Sequence, residues 1–298
     1  MNQIHRVAIA GGTHGNEFIG AYLVQKLTQF PHLIQRRSFE TITFLANPQA
    51  FQAVRRYIDT DLNRCFLPQD LQDESKNSYE EQLAKSISEK LVRNSTTRTD
   101  FILDLHSTTS NMGLTIILDN HHPFNFKIAA LLQQINPLVK IYACSFDATA
   151  KSPFLNSLCE LGFAIEVGAI PQGVLLANLF QQTETLVYQV LDLLDKLNLG
   201  ENLTINQPIT TYKHLTHIDY PRDKHGNLAA MVHPNLQNRD YEPLHPGEPM
   251  FITFDNHEIL YEGESIVYPV FINEAAYYEK NIAMCFTEKN EVYLDSEI

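Results

Sequence analysis

The sequence lacks any Cys-x-x-Cys pair, the spacing typical of thiolate zinc sites and redox centres. Its four cysteines, Cys65, Cys144, Cys159 and Cys285, are scattered along 298 residues. This pattern suits a reducing compartment and argues against a thiolate zinc site. We therefore expect each cysteine to be a small residue of the core.

Long apolar runs are missing as well. No stretch approaches the roughly 18 apolar residues that a membrane span needs. Residues 1–6 are not a basic segment followed by an apolar one, which a secretory signal would require. We expect a cytoplasmic protein with no membrane partner.

Basic residues are scarce, with 22 Lys and Arg against 35 Asp and Glu and a formal net charge of −13 at pH 7. No Lys/Arg stripe could follow a phosphate backbone, so we expect no nucleic-acid partner. An anionic substrate would need a local group of arginines working against the global charge. Such a group occurs between Arg55 and Arg64.

A hydrophobic content of 44% supplies enough apolar surface for one large or two moderate domains. Apolar strand-like runs and amphipathic helical patterns fill the chain to about residue 200, which predicts an α/β domain over residues 1–200. The remainder is rich in proline and in short β-like runs, with a hairpin turn at Asp255-Asn256. It predicts a smaller β-rich domain over residues 201–298. The predicted strands cover residues 7–10, 41–46, 101–105, 114–118, 163–168, 250–254, 258–261 and 266–272, and the predicted helices start near residues 18, 79, 126 and 179.

The stretch Gly11-Gly12-Thr13-His14-Gly15-Asn16-Glu17 joins the first predicted strand to a helical pattern at Phe18. If the helix has begun by residue 14, His14 and Glu17 lie on one face, close enough to bind one metal ion. The glycines allow a tight turn and a close approach to a ligand. The alternative is a chance pairing, since His-x-x-Glu occurs in many proteins, so a third ligand is required.

Two further polar side chains follow or interrupt predicted strands. His106 stands at the end of one strand, and Glu166 lies within another apolar run. Sites in open α/β sheets form at the carboxyl ends of strands. A buried glutamate without a partner is costly or becomes protonated. Glu166 therefore has a functional role, or alternatively it lies on an edge strand where its side chain points to solvent.

These residues combine into one candidate centre. His14, Glu17 and His106 form a His₂Glu set that leaves a position for water, which is typical of catalytic zinc. Glu166 would then be the general base. The polar segment from Arg56 to Arg64 predicts an ordered loop whose arginines would stabilise an oxyanion and clamp a substrate carboxylate. The alternative for this loop is a solvated surface segment with internal Asp–Arg pairs.

Four motifs carry a resemblance to a known family: residues 11–17, 56–64 (Arg-Tyr-Ile-Asp-Thr-Asp-Leu-Asn-Arg), 104–113 (Asp-Leu-His-Ser-Thr-Thr-Ser-Asn-Met-Gly) and 165–168 (Ile-Glu-Val-Gly). They resemble the succinylglutamate desuccinylase/aspartoacylase family of zinc carboxypeptidase-like hydrolases. The similarity continues through residues 219–223, 233–237, 243–247 and 270–278. It implies a central mixed sheet flanked by helices, with the smaller β-rich domain covering the active-site entrance.

The resemblance also implies a role for each matching residue. One Zn²⁺ per subunit would be held by His14, Glu17 and His106, and Glu166 would be the base. Four more residues would contact the substrate: Arg56 at the amide carbonyl, Asn63 and Arg64 at the α-carboxylate, and Tyr277 from the C-terminal domain. The alternative for Tyr277 is a packed interface aromatic.

The implied reaction is hydrolysis of a small anionic N-acyl amino acid, above all N-acetyl-L-aspartate, to L-aspartate and acetate. One departure affects the substrate: the family's arginine for the side-chain carboxylate, ten residues before the glutamate base, is here Asn156. Lys151 could replace its charge without its bidentate geometry. An aminoacylase for N-acetylated aromatic or neutral amino acids, and a desuccinylase or carboxypeptidase on the same scaffold, stay open. The family's dimers also make a homodimer an expectation.

Overall fold

The computed structural model describes residues 3–93, 98–144 and 152–293. Within these residues lie six α-helices: α1 (Phe18–Gln29), α2 (Pro48–Ala53), α3 (Pro68–Gln72), α4 (Tyr79–Ser88), α5 (Pro123–Ile135) and α6 (Ala177–Asn198). Short 3₁₀ helices cover Pro31–Leu33, Leu62–Arg64, Leu155–Leu158 and Ala275–Lys280, and a π-helical turn, Glu89–Arg93, extends α4. No helix in the described ranges is both long and apolar enough to cross a membrane.

Nine strands form one mixed sheet, in the order β11-β12-β7-β5-β4-β6-β3-β1-β2. Three shorter strands form an antiparallel sheet in the order β10-β9-β8. The strand bounds are β1 (Arg6–Gly11), β2 (Glu40–Leu45), β3 (Phe101–Ser107), β4 (Gly113–Leu118), β5 (Val139–Ala143), β6 (Leu161–Gly168), β7 (Ile209–Ile218), β8 (Ala230–Val232), β9 (Pro249–Thr253), β10 (Glu258–Leu260), β11 (Tyr268–Val270) and β12 (Met284–Val292).

The predicted α/β fold is confirmed, because helices cover both faces of the large sheet. On β1, Val7 and Ile9 join the core beneath α1, α5 and α6, while Ala8 and Ala10 join the core beneath α4. A strand buried on both faces carries an uninterrupted apolar run, since successive side chains point to opposite sides. Residues 7–10 are all apolar because β1 is buried on both faces.

The C-terminal part of the chain is β-rich, as predicted, and it contributes to both sheets. Strand β7 pairs in parallel with β5, and β12 and β11 extend the same sheet beyond it. The predicted hairpin is present, since β9 and β10 are antiparallel around Asp255-Asn256. Because one sheet runs through both parts of the chain, a division near residue 200 stays a prediction.

The carboxyl ends of β1, β3 and β6 meet at one edge of the sheet. Strand β3 is parallel to both neighbours, and His106 on β3 is the register partner of Glu166 on β6. Strand β6 lies inside the sheet, between β3 and β4. The alternative that Glu166 stands on an edge strand is therefore wrong, and its carboxylate needs another explanation.

Candidate active site

His14 and Glu17 lie in the turn that follows β1, and α1 begins only at Phe18. The expectation of a shared helical face is therefore wrong, yet the turn brings His14 Nδ1 within 2.6 Å of Glu17 Oε1. Gly12 makes this turn in the left-handed region, at φ +69°. Gly15 packs against α2, where a Cβ would lie 2.0 Å from the Ala50 carbonyl carbon. Both glycines are thus required by the backbone.

His106 completes a group of three potential metal ligands. Its Nδ1 lies 3.2 Å from His14 Nδ1 and 3.0 Å from Glu17 Oε2. One ligand atom from each of the three buried residues lies within 4.8 Å of the others. Two imidazoles and one carboxylate, with no fourth ligand in the group among the described residues, are the donor set of a catalytic zinc site. The residues present therefore fit zinc.

Two buried carboxylates hold the outer nitrogens of these histidines. His14 Nε2 lies 3.0 Å from Asp61 Oδ1, and His106 Nε2 lies 2.7 Å from Asp104 Oδ2. Such partners fix the orientation of a metal-ligating imidazole and raise its basicity. Sequence reasoning missed both roles. The available signal was Asp104, an acid inside the apolar run 101–105, two residues before His106.

The charges of the cluster shift one another's pKa values. Burial lowers the pKa of His106, but Asp104 and Glu17 outweigh it and raise this pKa well above its usual value. Burial would raise the pKa of Glu17, but His14 and His106 together bring it well below its usual value. The carboxylate of Glu17 is therefore held in the charged form that a metal requires.

Arg56 lies beside the ligand group. One terminal nitrogen donates to Glu17 Oε1 at 3.2 Å and the other to Asp61 Oδ2 at 3.3 Å. Its Nε–H is buried and has no hydrogen-bond partner among the described residues. The guanidinium is thus fixed in place and keeps one donor for another group.

Asn63 and Arg64 follow on the same loop, in a 3₁₀ turn. Asn63 Nδ2 lies 3.4 Å from His106 Nε2, while Asn63 Oδ1 accepts from Leu155 N at 2.9 Å. Arg64 lies over the Phe154 ring, 4.9 Å from its centroid. Across the described ranges of the chain no carboxylate forms an ion pair with Arg64. Its charge is therefore available to an anionic ligand.

Glu80 holds the loop that carries these residues. Its side chain is fully buried, and its carboxylate accepts from the backbone N–H groups of Ile58, Asp59 and Thr60 and from Asn47 Nδ2. The loop is thus ordered, as predicted. The internal Asp–Arg pair of the alternative is present between Arg56 and Asp61, but this pair is largely buried and not solvated. The sequence pattern at residues 78–81 predicts a capping box, and Ser78 and Glu81 form it. The pattern gave no indication of the role of Glu80.

We expect Glu80→Ala to lower the free energy of unfolding by about 3 kcal/mol, because it leaves the buried amide of Asn47 and three part-buried backbone N–H groups without this acceptor. Denaturant unfolding measures this loss. Glu81→Ala is the matched control: it removes the helix cap and a partly exposed ion pair with Lys76, and it should cost about 1 kcal/mol. Equal losses in the two variants would show that Glu80 does not hold the loop.

The C-terminal part reaches the cavity through the 3₁₀ helix Ala275–Lys280. Glu274 caps this helix by accepting from Ala276 N, and its other oxygen accepts from Thr109 N at 2.7 Å, in the loop after β3. This anchor places Tyr277 and Lys280 against the cavity. Lys280 Nζ lies 2.7 Å from Asp61 Oδ2. Sequence reasoning missed Glu274 and Lys280, since neither stands out within a polar segment.

One cavity of about 390 Å³ lies at this site. The eight predicted site residues lie on its wall, namely His14, Glu17, Arg56, Asn63, Arg64, His106, Glu166 and Tyr277. Burial raises the pKa of Glu166 well above its usual value, and the charge of Glu17 adds to this effect. The remainder of the wall is largely apolar or aromatic, and includes Ile117, Tyr142, Cys144, Pro153, Phe154, Ala164, Phe271, Ala276, Ile282 and Cys285.

Asn156 does not belong to this wall. Its side chain is 1% exposed, and its Nδ2 donates to Asp119 Oδ1 at 2.8 Å. Lys151, the alternative cation, lies outside the described residues. Cys65, Cys159 and Cys285 belong to the core, as expected, whereas Cys144 is only half-buried. Cys144 and Cys285 also line the cavity.

Comparison with known proteins gives two matching family models. The succinylglutamate desuccinylase/aspartoacylase catalytic domain matches residues 3–194, and the AstE/AspA barrel-sandwich hybrid domain matches residues 207–289. A "Probable aspartoacylase" of Trichodesmium erythraeum is 57% identical over 98% of this chain and 99% of its own length. A rat "N-acyl-aromatic-L-amino acid amidohydrolase (carboxylate-forming)" is 42% identical over 95% of this chain and 90% of its own length. The crystal structure of murine aminoacylase 3 superposes with a TM-score of 0.90 at 40% identity, covering 98% of this chain and 97% of that one.

With the fold and the site, these similarities define the class of the protein: it is an enzyme of the amidohydrolase type. It belongs to the succinylglutamate desuccinylase/aspartoacylase family. The resemblance inferred from the sequence motifs is thereby confirmed.

Proposed function

We propose that the protein is a zinc-dependent amidohydrolase that removes a small acyl group from an N-acyl amino acid. The observation that carries this proposal is the convergence of His14, Glu17 and His106 beside Glu166 in one cavity. Zinc held by these three residues would supply a Lewis acid that acidifies water and polarises a carbonyl.

Glu166 would take the proton from the attacking water and pass it to the leaving nitrogen. Its place in the centre of the sheet fixes its position, and its raised pKa suits a group that must hold a proton between two steps. Arg56 would donate to the oxygen of the scissile carbonyl as negative charge develops there. Its buried Nε–H, which lacks a partner in the described ranges, is suited to this role.

Arg64 and Asn63 would hold the α-carboxylate of the substrate. Arg64 has the planar geometry that a carboxylate matches, and Phe154 fixes its orientation. Tyr277 would contact the substrate from the C-terminal side of the cavity. Its ring packs 5.3 Å from that of Phe271, centroid to centroid, and both line the wall.

N-acetyl-L-aspartate is the substrate that we propose first. It carries two carboxylates, and the described part of the cavity wall carries three fixed cations, Arg56, Arg64 and Lys280. With Arg56 at the carbonyl and Arg64 at the α-carboxylate, Lys280 would take the side-chain carboxylate. The name of the Trichodesmium relative agrees with this choice.

N-acetylated aromatic or neutral amino acids are the second candidate substrates. The apolar part of the wall favours them, and Asn156 lies buried behind it, where the family places an arginine for the side-chain carboxylate. The name of the rat relative refers to substrates of this kind. A direct comparison of the two substrate classes on this protein is therefore needed.

Acetate release from N-acetylated aspartate, glutamate, tyrosine and methionine by zinc-loaded protein tests both candidates. We expect Arg64→Met to lower kcat/KM for every substrate by about 100-fold, because the lost charge-assisted hydrogen bonds to the α-carboxylate are worth roughly 3 kcal/mol. Lys280→Met should lower kcat/KM at least about tenfold more for aspartate than for tyrosine, since only aspartate offers a second carboxylate.

Two results would count against parts of this proposal. If Lys280→Met affects both substrates equally, Lys280 does not select aspartate. If wild-type protein prefers N-acetyltyrosine, the second candidate is the substrate. Absence of acetate release from all four compounds would contradict the proposed reaction itself.

A further inference from the structure

A second group of potential metal ligands lies at the other end of the same cavity. His214 and His217 on β7 and Cys285 on β12 each offer one ligand atom, and these atoms lie within 4.8 Å of one another. All three residues line the cavity wall. We call this group the β7–β12 cluster. The reaction proposed above does not use it.

A β-bulge brings the two histidines to one face. Residues three apart on a regular strand point to opposite faces. Here Thr287 pairs with His214 and Phe286 with Thr216, so Leu215 is an extra residue on β7. Beyond the bulge, the alternation of side chains between the two faces of the sheet is shifted by one residue. His217 therefore points to the same face as His214. Bulges of this kind re-aim side chains and are frequent beside functional sites.

Neighbouring groups hold the cluster together. Cys285 is the cross-strand partner of His217, and its Sγ lies 3.3 Å from His217 Nδ1. The hydroxyl of Tyr142, on the adjacent strand β5, lies 2.9 Å from His214 Nδ1. The two imidazole centroids are 4.5 Å apart. Cys285 and Tyr142 are buried, while His217 is exposed, which leaves a path from solvent.

The cluster is distinct from the His14–Glu17–His106 centre. Strands β3 and β7 are four inter-strand steps apart in the sheet, through β6, β4 and β5. At about 4.8 Å for each step, the two strands that carry these ligands are about 19 Å apart across the sheet. Paired catalytic metals stand roughly 4 Å apart, so the cluster is not the second half of a two-metal centre.

We propose that the β7–β12 cluster is a second cation site, which binds Zn²⁺ or a similar borderline-soft divalent ion through two imidazoles and one thiolate. A thiolate and imidazoles select zinc and cobalt over hard cations such as magnesium or calcium. Binding replaces the thiol proton of Cys285, which passes to solvent, by a sulfur–metal bond. Three protein ligands would leave one position of a tetrahedral ion for water or another ligand.

Cobalt substitution tests this site directly. A cobalt ion bound to a thiolate absorbs through sulfur-to-metal charge transfer, whereas the His14–Glu17–His106 centre has no sulfur. We expect Co²⁺-loaded wild-type protein to show the charge-transfer band, and Cys285→Ser and His217→Ala to lose it. Zinc-loaded protein should hold two ions per chain, and each of these variants one.

Two control variants separate this inference from the proposed reaction. Cys144→Ser removes the other thiol of the cavity and should keep the band. His106→Ala removes a ligand of the first centre and should also keep it, while losing one zinc ion. A wild-type protein without the band, or a band that survives in folded His217→Ala, would overturn the proposal. His217 is exposed, so this variant remains informative if Cys285→Ser does not fold.

Discussion

Replacing Glu166 with glutamine is expected to lower kcat by roughly 10³-fold, the size of effect typical of the loss of a general base. Glutamine has nearly the same shape but cannot accept the proton of the attacking water. The substrate contacts proposed for Arg56 and Arg64 do not involve Glu166, so KM should stay within a few-fold of the wild-type value. Loss of kcat with little change in KM is the signature of an interaction made only in the transition state.

Zinc content and turnover should be measured on the same preparations of this variant. Glu160→Gln is the matched control: this exposed residue just precedes β6, and its side chain has no place in the cavity. It should retain full activity and full zinc content. A Glu166→Gln protein that holds zinc and turns over at the wild-type rate would rule out Glu166 as the base.

Sequence patterns predicted the elements that are buried on one or both faces. The strands β1, β3, β4 and β6 and the helices α1, α4, α5 and α6 carry strong apolar periodicity. Strands β5, β7, β8 and β12 and the short helices α2 and α3 were missed, although β7 and β12 are long. On β12 only the first four residues are buried, so its second half resembles a polar loop. Long-range pairing, which local patterns do not report, makes such segments strands.

The predicted site residues were found because each follows a strand or lies in a matching family motif. What the sequence could not supply is the support around them. Asp61 contacts His14 across 47 positions, Glu80 contacts Ile58 across 22, and Glu274 contacts Thr109 across 165. Asp104 is the exception, because it contacts His106 only two positions away and gave a signal in the sequence. The β7–β12 cluster was hidden for a related reason. Its ligands come from two strands, and the spacing His214–His217 becomes meaningful only with the bulge at Leu215.

Removal of zinc is the second change with a large expected effect. Treating the protein with a chelator should reduce turnover to background, and stoichiometric Zn²⁺ should restore it. His106→Ala should reduce kcat/KM by more than roughly 10³-fold and should not respond to added zinc, because the ligand group is then incomplete. His245→Ala, at an exposed position far along the chain, is the control histidine and should behave as wild type.

The same metal should stabilise the fold, because the residues proposed to bind it come from the β1–α1 turn and from β3, which converge only in the folded chain. At a free zinc concentration 100 times the dissociation constant, one site adds about 2.7 kcal/mol to the free energy of unfolding. His106→Ala should lose the stabilisation by zinc at the first centre but keep any stabilisation from the β7–β12 cluster. Cys285→Ser should keep the stabilisation at the first centre and lose that of the cluster. If chelation leaves both turnover and unfolding unchanged, zinc is not the cofactor, and the converging imidazoles and carboxylate of the first centre have a structural role only.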